Sequence, residues 1–351
     1  MSRRCQEPAT RQNRPALNAR VGPTLNGPDR SDAMKAIVQN AYGSPAVLDL
    51  REIDKPVVKD DGVLVRVHAA AIHAGDYFVM TGVPYPVRFV AGWPKPKNYI
   101  PGFDLAGHVE AVGKNVTGFR PGDEVFAFCN GACAEYACAP EGTCALKPTN
   151  LTFEEAAAVP TSALTALHGL RDAGKVQPGQ KVLINGASGG VGTFAVQIAK
   201  VFRAEVTGVC STRNVDMVRS LGADHVIDYT REDFTRGGSS YDLILDNVGN
   251  RSFSECRRAL TPRGIHIPNS GRAGIGYAVN ALLRSIFVRQ QGRPFLTRPN
   301  HEDLVLLKGL LESGKVRPVI SRTCGLSEVP DALGHVGEGH AIGKVVISMP
   351  R

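Results

Sequence analysis

The most restrictive feature of the sequence is a glycine-rich turn that joins a short apolar run to a helical segment. KVLING (181–186) predicts a buried strand, and GGVGTFAVQIAKVF (189–202) predicts a helix because its apolar residues recur at helical spacing. Ala187, Gly189 and Gly192 occupy the three positions of a Gly-x-Gly-x-x-Gly pattern. A helix that begins at such a turn offers free N–H groups and a partial positive charge, which is typical of sites for dinucleotide phosphates. An ordinary tight turn is the alternative.

Strands and helices alternate after this turn. Strands are predicted at 204–210, 225–229, 241–249 and 265–271, and helices at 214–222 and 252–264. Strict alternation of this kind predicts an α/β domain with a doubly wound parallel sheet. The carboxyl ends of its strands form one edge, where a dinucleotide binds.

The chain before residue 152 has a different pattern, with strand-like runs and no helix between them. The runs are 35–39, 47–53, 62–72, 105–113, 123–128 and 133–140. They predict a small antiparallel or barrel-like domain. Residues 81–99 contain four prolines and two glycines without any period and are predicted to be a loop. Helical patterns follow at 152–174, where Thr152 and Glu155 fit a capping box, and at 301–316.

The amino-terminal segment and the cysteines bear on location. Residues 1–33 are polar, arginine-rich and interrupted by prolines, which predicts a disordered extension before Met34; an organelle transit peptide is the alternative. The sequence has no run of about 18 apolar residues, so no membrane-spanning helix is predicted. Eight irregularly spaced cysteines without a secretory leader favour a reducing, cytoplasmic setting.

The end of the second predicted strand indicates which dinucleotide is bound. NAD-binding units place an acid there, about 20 residues after the glycines, to hold the ribose hydroxyls. GVCSTRN (208–214) has no acid, whereas Ser211 can donate to a phosphate and Arg213 can pair with one. This predicts NADPH as the cofactor. The alternative is that Arg213 is a solvated residue at the start of a helix.

The motifs of the chain, in their order, resemble those of the medium-chain dehydrogenase/reductase superfamily, and within it the zinc-independent quinone oxidoreductases related to zeta-crystallin. They are IPGFDLAGHVEAVG (100–113), PGDEVFAF (121–128), AEYA (134–137), NGASGGVG (185–192), SLGADHVIDY (220–229) and GKVVI (343–347). The resemblance runs from about Met34 to the end. It implies a GroES-like β-rich substrate domain from residues 34–158 and 300–351, with a Rossmann NADPH-binding domain from residues 159–299 between them.

The resemblance implies hydride transfer from NADPH to a quinone or an α,β-unsaturated carbonyl, usually in a homodimer. An alcohol or aldehyde dehydrogenase of the same superfamily is one alternative. A protein that uses NADPH binding in an RNA-binding or structural role is another, and the net charge of +8 permits it. Nucleic acid is not expected as a partner because the charges of the folded part are dispersed, and insertion into a membrane is not expected either.

The resemblance also locates the positions that bind zinc in other members of the superfamily. They correspond to His73 and to Phe103 with Asp104. A phenyl ring cannot bind zinc, so no metal is expected. The quinone oxidoreductases commonly have Asn where this chain has His73. A polar group at this position is expected to form a hydrogen bond with a substrate carbonyl.

A histidine and several cysteines near these positions invite a second metal hypothesis. His108 and Glu110 alternate along a predicted strand and are expected on its solvent face. The thiols lack the spacing of zinc knuckles and are predicted to fill apolar space, with a metal site as the alternative. They are Cys129, Cys133, Cys138 and Cys144.

Candidate substrate-site residues come from HAGDY (73–77) and from the proline-rich loop. Hydride transfer needs a donor for the oxygen that becomes negative, and the candidates are His73, Asp76 and Tyr77. Structural roles are the alternatives for Asp76 and Tyr77. An apolar wall for a flat substrate is predicted from Tyr85, Phe89 and Trp93, with loop packing as the alternative.

The cofactor contacts are predicted from topology and from the resemblance. In the glycine-rich turn they are Ala187, Ser188, Gly189, Gly190, Val191 and Gly192. At the end of the second strand they are Ser211, Arg213 and Asn214. At other strand ends and at one helix start they are Thr161, Tyr229, Asn247, Gly249, Ser270 and Gly271. Lys344 of GKVVI is not included.

Overall fold

The structure, a computed structural model, describes residues 33–350 except Asn98, Ser239, Arg272, Phe287 and His340. The predicted extension, residues 1–33, therefore lies outside the described residues apart from Ala33, which opens the first strand. Among the described residues, no helix has the length and apolar character needed to cross a membrane.

The strands fall into two groups along the chain, separated by the helical region after residue 152. They are β1 Ala33–Gln39, β2 Leu48–Asp54, β3 Gly62–Ile72, β4 Asp104–Val112, β5 Glu124–Phe128, β6 Tyr136–Pro140, β7 Cys144–Leu146, β8 Lys181–Asn185, β9 Glu205–Cys210, β10 His225–Asp228, β11 Tyr241–Asp246, β12 Leu260–Pro268, β13 Gln291–Gly292, β14 Ile320–Gly325 and β15 Lys344–Ser348.

The helices are mostly short. They are α1 Ala74–Thr81, α2 Val87–Ala91, α3 Phe153–Ala157, α4 Pro160–Leu167, α5 Gly190–Val201, α6 Val215–Ser220, α7 Phe253–Cys256, α8 Gly274–Ser285, α9 His301–Glu312 and α10 Val329–Glu338. The capping box predicted at the start of α3 is present, because Thr152 Oγ1 accepts from the Glu155 N–H and Glu155 accepts from the Thr152 N–H.

A six-stranded parallel sheet has the order β10-β9-β8-β11-β12-β13. The strand order reverses between β8 and β11, and a crevice forms outside the carboxyl ends of strands at such a point. The glycine-rich turn follows β8 and therefore opens into that crevice. The prediction of an α/β, doubly wound parallel sheet is confirmed.

A second, largely antiparallel sheet has the order β14-β15-β3-β4-β5-β7, with β6 paired to β3 and β1-β2 forming a separate ribbon. β15 pairs antiparallel with β3, so a late part of the chain returns to the early strands. The predicted β-rich GroES-like part of the fold is confirmed. The exact domain boundaries stay predictions.

One of the apolar clusters of the fold is shared by the two sheets. A single cluster of buried apolar side chains includes Ala69 of β3, Phe126 of β5, Leu164 of α4 and Ile184 of β8. Helix α4 thus packs between the early strands and the parallel sheet. The start of this helix is therefore held firmly at the junction of the two sheets.

Two predicted boundaries were wrong. The loop predicted at 81–99 contains α2, a short helix that ends at Gly92, whose φ is +130°. The helix predicted at 252–264 begins after Ser252, which forms a capping box with Glu255, but it ends at Cys256, and β12 starts at Leu260. Pro262 explains the second error, because it cannot donate the hydrogen bond that a continued helix needs.

Candidate active site

The glycine-rich turn adopts the geometry that its sequence requires. Gly186 has φ = +77°, a conformation that other residues rarely adopt. A Cβ atom at Gly192 would lie 2.0 Å from the Gly186 carbonyl oxygen, so glycine alone lets α5 pack this closely. Gly189 is the N-cap of α5. The first N–H groups of a helix have no partners within it, so this end of α5 suits a phosphate.

The segment that precedes β15 supports this turn from a distant part of the chain. The Gly343 N–H donates to the Ser188 carbonyl at 2.8 Å, and Gly343 forms a β-bridge with Gly189. Gly343 has φ = +53°, and a Cβ atom there would lie 2.2 Å from the Val319 carbonyl oxygen. Glycine is therefore required at position 343 of this contact.

Three of the predicted NADPH contacts are joined at the end of β9. The Asn214 side-chain amide donates to Ser188 Oγ at 3.1 Å and to Ser211 Oγ at 3.2 Å. Arg213 lies on the exposed 3-10 turn Thr212–Asn214. Asn214 thus links the glycine-rich turn to the strand end that distinguishes NADPH from NADH.

The remaining strand-end residues predicted for the cofactor follow neighbouring strands of the same sheet. They are Tyr229 after β10, Asn247 and Gly249 after β11, and Ser270 and Gly271 after β12. The Asn247 side chain donates to the Asn185 carbonyl at 3.1 Å, and the Ser270 hydroxyl donates to the Val248 carbonyl at 2.7 Å. These bonds hold the ends of β8, β11 and β12 together at one edge.

Asp104, Thr161 and Lys344 form a buried polar cluster beside this edge. Asp104 Oδ1 accepts from the Thr161 N–H at 3.0 Å and from its hydroxyl at 2.5 Å, and Asp104 Oδ2 accepts from Lys344 Nζ at 3.0 Å. Asp104 is fully buried and Lys344 is 1% exposed. A Cβ atom at Gly190 would lie 3.3 Å from Lys344 Cδ, so the lysine passes close to the start of α5. The cluster joins the starts of β4, α4 and β15.

His73 and Asp76 form a capping box at the start of α1. His73 Nδ1 accepts from the Gly75 N–H at 2.9 Å, and Asp76 Oδ2 accepts from the His73 N–H at 2.7 Å. Because Nδ1 is an acceptor, the neutral imidazole carries its proton on Nε2. His73 Nε2 and Asp76 Oδ1 are both buried without a partner among the described residues. Burial raises the pKa of Asp76 above its usual value, although His73 partly opposes this.

Phe103 stacks between His73 and Phe128. The ring centroids are 5.8 Å apart for His73 and Phe103 and 5.5 Å apart for Phe103 and Phe128, with near-parallel planes. Zinc does not fit this group of residues. One ligand position is a phenyl ring, the Asp104 carboxylate is engaged by Thr161 and Lys344, and His73 Nδ1 is engaged by the backbone.

Comparison with known proteins agrees with this geometry. Residues 59–169 match the family described as "Alcohol dehydrogenase GroES-like domain", and residues 221–347 match "Zinc-binding dehydrogenase". The 2-methylene-furan-3-one reductase of Solanum lycopersicum is 36% identical over 329 residues, covering 90% of this chain and 79% of that protein. The chloroplastic NADPH-dependent alkenal/one oxidoreductase of Arabidopsis thaliana is 35% identical over the same shares of each chain. The solved quinone oxidoreductase from Coxiella burnetii has 32% identity and a TM-score of 0.81, covering 91% of this chain and 100% of that one.

The chain belongs to the medium-chain dehydrogenase/reductase superfamily. It is an oxidoreductase that uses a nicotinamide cofactor. The predicted family and cofactor class are confirmed.

The aromatic candidates of this medium-chain reductase occupy different surroundings from His73. Tyr77 packs against α10, where a Cβ atom at Gly337 would lie 2.2 Å from the Tyr77 ring, and it also contacts the apolar core. Tyr85, Phe89 and Trp93 are 67%, 82% and 69% exposed. Their exposure puts these three rings on the outer surface rather than in the buried surroundings of His73.

A second buried polar network lies beneath the strand ends of the reductase. Among the described residues, Asp246, Cys256 and His266 are the one group of three potential metal ligands within 4.8 Å of one another. Asp246 Oδ1 accepts from the Asn185 amide at 2.8 Å, and Oδ2 accepts the Tyr277 hydroxyl. Burial opposes the ionisation of Asp246, yet hydrogen bonds from His266, from the Gly249 N–H and from Tyr277 lower its pKa, and burial beside Asp246 raises the pKa of Tyr277. With both oxygens engaged, the network fastens α8 to β11.

His108 and its neighbouring cysteines occupy structural positions in the reductase. His108 is half-buried with Nδ1 2.9 Å from His68 Nε2, whereas Glu110 is exposed. The prediction that both side chains face solvent is therefore correct for Glu110 and only partly correct for His108. Burial raises the pKa of the thiols that lie in the apolar core, as for cysteines that fill space; these are Cys129, Cys133 and Cys144.

Asp104 and Lys344 are members of the site that sequence reasoning did not include. They are 240 residues apart, so no local pattern connects them. One signal was available. Lys344 is the one charged residue of β15 and Asp104 opens β4 before an apolar stretch, and a buried charge is retained only with a partner.

Proposed function

We propose that this protein reduces an α,β-unsaturated carbonyl compound or a quinone with NADPH and without zinc. The observation that carries the proposal is the buried Nε2 of His73, which has no partner in the part of the chain that the structure describes and lies beside Phe103 at a zinc-ligand position. An N–H group in that state can stabilise a negative oxygen in place of a metal ion. The alcohol dehydrogenase alternative loses support because the residues at the zinc positions do not fit zinc.

The chain offers a set of groups for each part of the cofactor. Ser188, Ser211, Arg213 and Asn214 would hold the phosphates, since they converge on the glycine-rich turn and the end of β9. Thr161 would border the nicotinamide. Its hydroxyl proton is committed to Asp104, so its oxygen is left to accept a hydrogen bond. Bound NADPH supplies a hydride.

The protein's own part in the reaction is to place the substrate oxygen and stabilise its charge. When hydride adds to the β-carbon, the electron pair of the C=C bond shifts to the carbonyl oxygen. The His73 Nε2–H group donates to that oxygen. Asp76 keeps His73 in place by accepting a hydrogen bond from its backbone N–H. Addition of a proton at the α-carbon then restores the carbonyl and completes the reduction.

A screen of NADPH oxidation tests the proposal. We expect turnover with para-quinones and enones, little with saturated aldehydes, and an unchanged rate after prolonged incubation with a chelator. Stoichiometric zinc whose removal abolishes activity would overturn the zinc-independent mechanism. Turnover with saturated alcohols and aldehydes alone would favour the dehydrogenase alternative.

The proposal includes a homodimer formed through α8 and the edge strand β13. Its support is an exposed apolar stripe at positions three and four apart, formed by Val279, Leu282 and Leu283 of α8 and by Ile286 just after it. A Cβ atom at Gly292 of β13 would lie 2.3 Å from the Ala281 carbonyl oxygen, so α8 packs against this edge strand. Light scattering should give a dimeric mass that Leu283→Arg lowers to that of a monomer.

A cytoplasmic location is also part of the proposal. Its support is that the described cysteines are free, and most of them are buried. Unpaired thiols suit a reducing compartment. Fluorescence microscopy of a carboxyl-terminally tagged full-length protein tests it, and accumulation in an organelle would contradict it.

A further inference from the structure

Residues 83–99, called the aromatic segment below, display large apolar side chains on the surface. The exposed fractions are 82% for Phe89, 69% for Trp93, 67% for Tyr85, 50% for Val83 and 48% for Tyr99. Single exposed apolar residues are common on soluble proteins, but a contiguous group of them marks an interaction surface. The segment immediately follows α1, the helix that His73 caps.

The aromatic segment is a folded platform. The Tyr42 hydroxyl donates to the Gly92 carbonyl at 2.6 Å, and the Lys97 N–H donates to the Ala91 carbonyl at 2.7 Å. Arg88 Nε donates to the Gly82 carbonyl at 3.0 Å, and its guanidinium lies 4.6 Å from the centre of the Tyr42 ring. These bonds fix the backbone, so the outward rings are presented in a defined arrangement.

The charge of the aromatic segment has one sign. Between Asp76 and Asp104 the sequence contains no acid, whereas it contains Arg88, Lys95 and Lys97. Lys95 and Lys97 are both exposed beside Trp93. The surface therefore combines aromatic rings with excess positive charge.

We propose that the aromatic segment docks this protein on the surface of an anionic lipid bilayer. Trp and Tyr favour the boundary between lipid and water, and a Phe ring gains by entering the acyl region. Exposed lysines are attracted to anionic headgroups. Docking of this kind needs no spanning helix, and it does not depend on the reaction proposed above.

Two other occupants fit the segment less well. Two copies docked through this same surface would bring their cations together with no acid in either segment to pair them. Nucleic acid would meet chiefly the two lysines, because Arg88 is engaged with Tyr42 and the Gly82 carbonyl. Phosphate binding scales with the number of such cations, so that contact is weak.

Tryptophan fluorescence provides a direct test, because Trp93 is the only tryptophan in the chain. The full-length protein is mixed with vesicles of phosphatidylcholine alone or of phosphatidylcholine and phosphatidylglycerol at 3:1. We expect co-sedimentation and a blue-shifted emission with the mixed vesicles, both declining as salt increases. Brominated lipids should quench the emission of the bound protein. NADPH and substrate are absent, so the result is independent of the enzymatic proposal.

Variants separate the contributions of charge and rings. Lys95→Gln with Lys97→Gln should weaken partitioning onto the mixed vesicles about 30-fold, since each lysine near the surface contributes about fivefold. Phe89→Ser should weaken it by about tenfold. Lys315→Gln removes an exposed lysine that follows α9 and should have no effect.

Several outcomes would overturn the inference. Equal binding to neutral and mixed vesicles would remove the role of charge. Co-sedimentation with unchanged Trp93 emission would assign binding to another surface. Loss of the dimer in Phe89→Ser would make a second copy the occupant, and quenching of Trp93 by RNA but not by lipid would make it nucleic acid.

Discussion

Two buried polar clusters lie at the junction of the sheets, and they differ in how fully their hydrogen bonds are satisfied. In the first, Asp104 uses both oxygens for Thr161 and Lys344. In the second, Asp76 accepts the backbone N–H of His73 and the His73 ring accepts the backbone N–H of Gly75, yet within the described chain His73 and Asp76 each retain a buried atom without a partner. Asp104 of the first cluster directly follows Phe103 in the sequence, and the ring of His73 in the second cluster stacks on Phe103.

The difference separates a group that maintains the architecture from one that is held for a ligand. A satisfied buried ion pair fixes the elements that carry it, and removing one partner is costly. An unsatisfied buried donor destabilises the folded state by about 1–3 kcal/mol and persists where function requires it. We therefore expect changes in the first cluster to affect folding and changes in the second to affect turnover.

Lys344→Met should have the largest effect, because it leaves the Asp104 carboxylate buried with no cation. We expect the free energy of unfolding to fall by about 3–5 kcal/mol, measured by chemical denaturation. The matched control is the double variant Asp104→Asn with Lys344→Met, which removes both charges and should recover much of the loss. If Lys344→Met is as stable as the wild type, the first cluster has no architectural role.

His73→Ala should have a large effect on turnover and a small effect on stability, the reverse of what is expected for Lys344→Met. Loss of one donor to a developing negative oxygen lowers turnover on the order of 100-fold or more, while the dissociation constant of NADPH stays unchanged. Loss of the cap lowers the free energy of unfolding by only about 1 kcal/mol. His73→Asn keeps a donor and an acceptor and should restore part of the rate. A His73→Ala enzyme with normal turnover would show that His73 serves only as a cap.

Arg213→Ala extends the comparison from buried groups to an exposed side chain that is predicted to bind the phosphate of NADPH. A charge-assisted bond to phosphate contributes roughly 1.5–3 kcal/mol, so NADPH should bind about 10- to 100-fold more weakly. NADH affinity and thermal stability should hardly change, because Arg213 is exposed. Isothermal titration measures both cofactors. Equal affinity of the wild type for NADPH and NADH would contradict the assignment.

Asp76→Asn should have the smallest effect and one that depends on pH. Burial raises the pKa of Asp76, so the folded state holds its proton more tightly than the unfolded state does. The stability gained from that proton is present at low pH and is lost as pH rises through the raised pKa. Relative to the wild type, the uncharged variant should therefore gain stability, on the order of 1 kcal/mol, between about pH 4 and neutral pH. If the difference in the free energy of unfolding between the variant and the wild type stays constant with pH, the pKa of Asp76 is not raised in the folded state.

The sequence predicted those parts of the molecule whose signals are local. The glycine-rich turn, the alternating strands and helices, and the capping box of Thr152 and Glu155 each depend on residues within a few positions of one another. The end of α7 at Cys256 was missed although Pro262 is a local signal against a longer helix. The helix within the predicted loop was missed because tertiary packing decides where such short elements form.

The site divides in the same way. The Ser188–Asn214–Ser211 contact follows from strand topology and could be predicted. The Asp104–Lys344 pair could not, because its members are 240 residues apart and meet only after β15 pairs with β3. The role of His73 as an N-cap was also missed, since histidine is not among the residues that favour that position.

The contact between Gly343 and Ser188 joins two segments that are made at different times during synthesis. The ribosome produces the glycine-rich turn long before it produces Gly343, and until then the Ser188 carbonyl lacks the partner that it has in the folded chain. The support that the segment before β15 gives to the turn therefore forms only after most of the chain has been made.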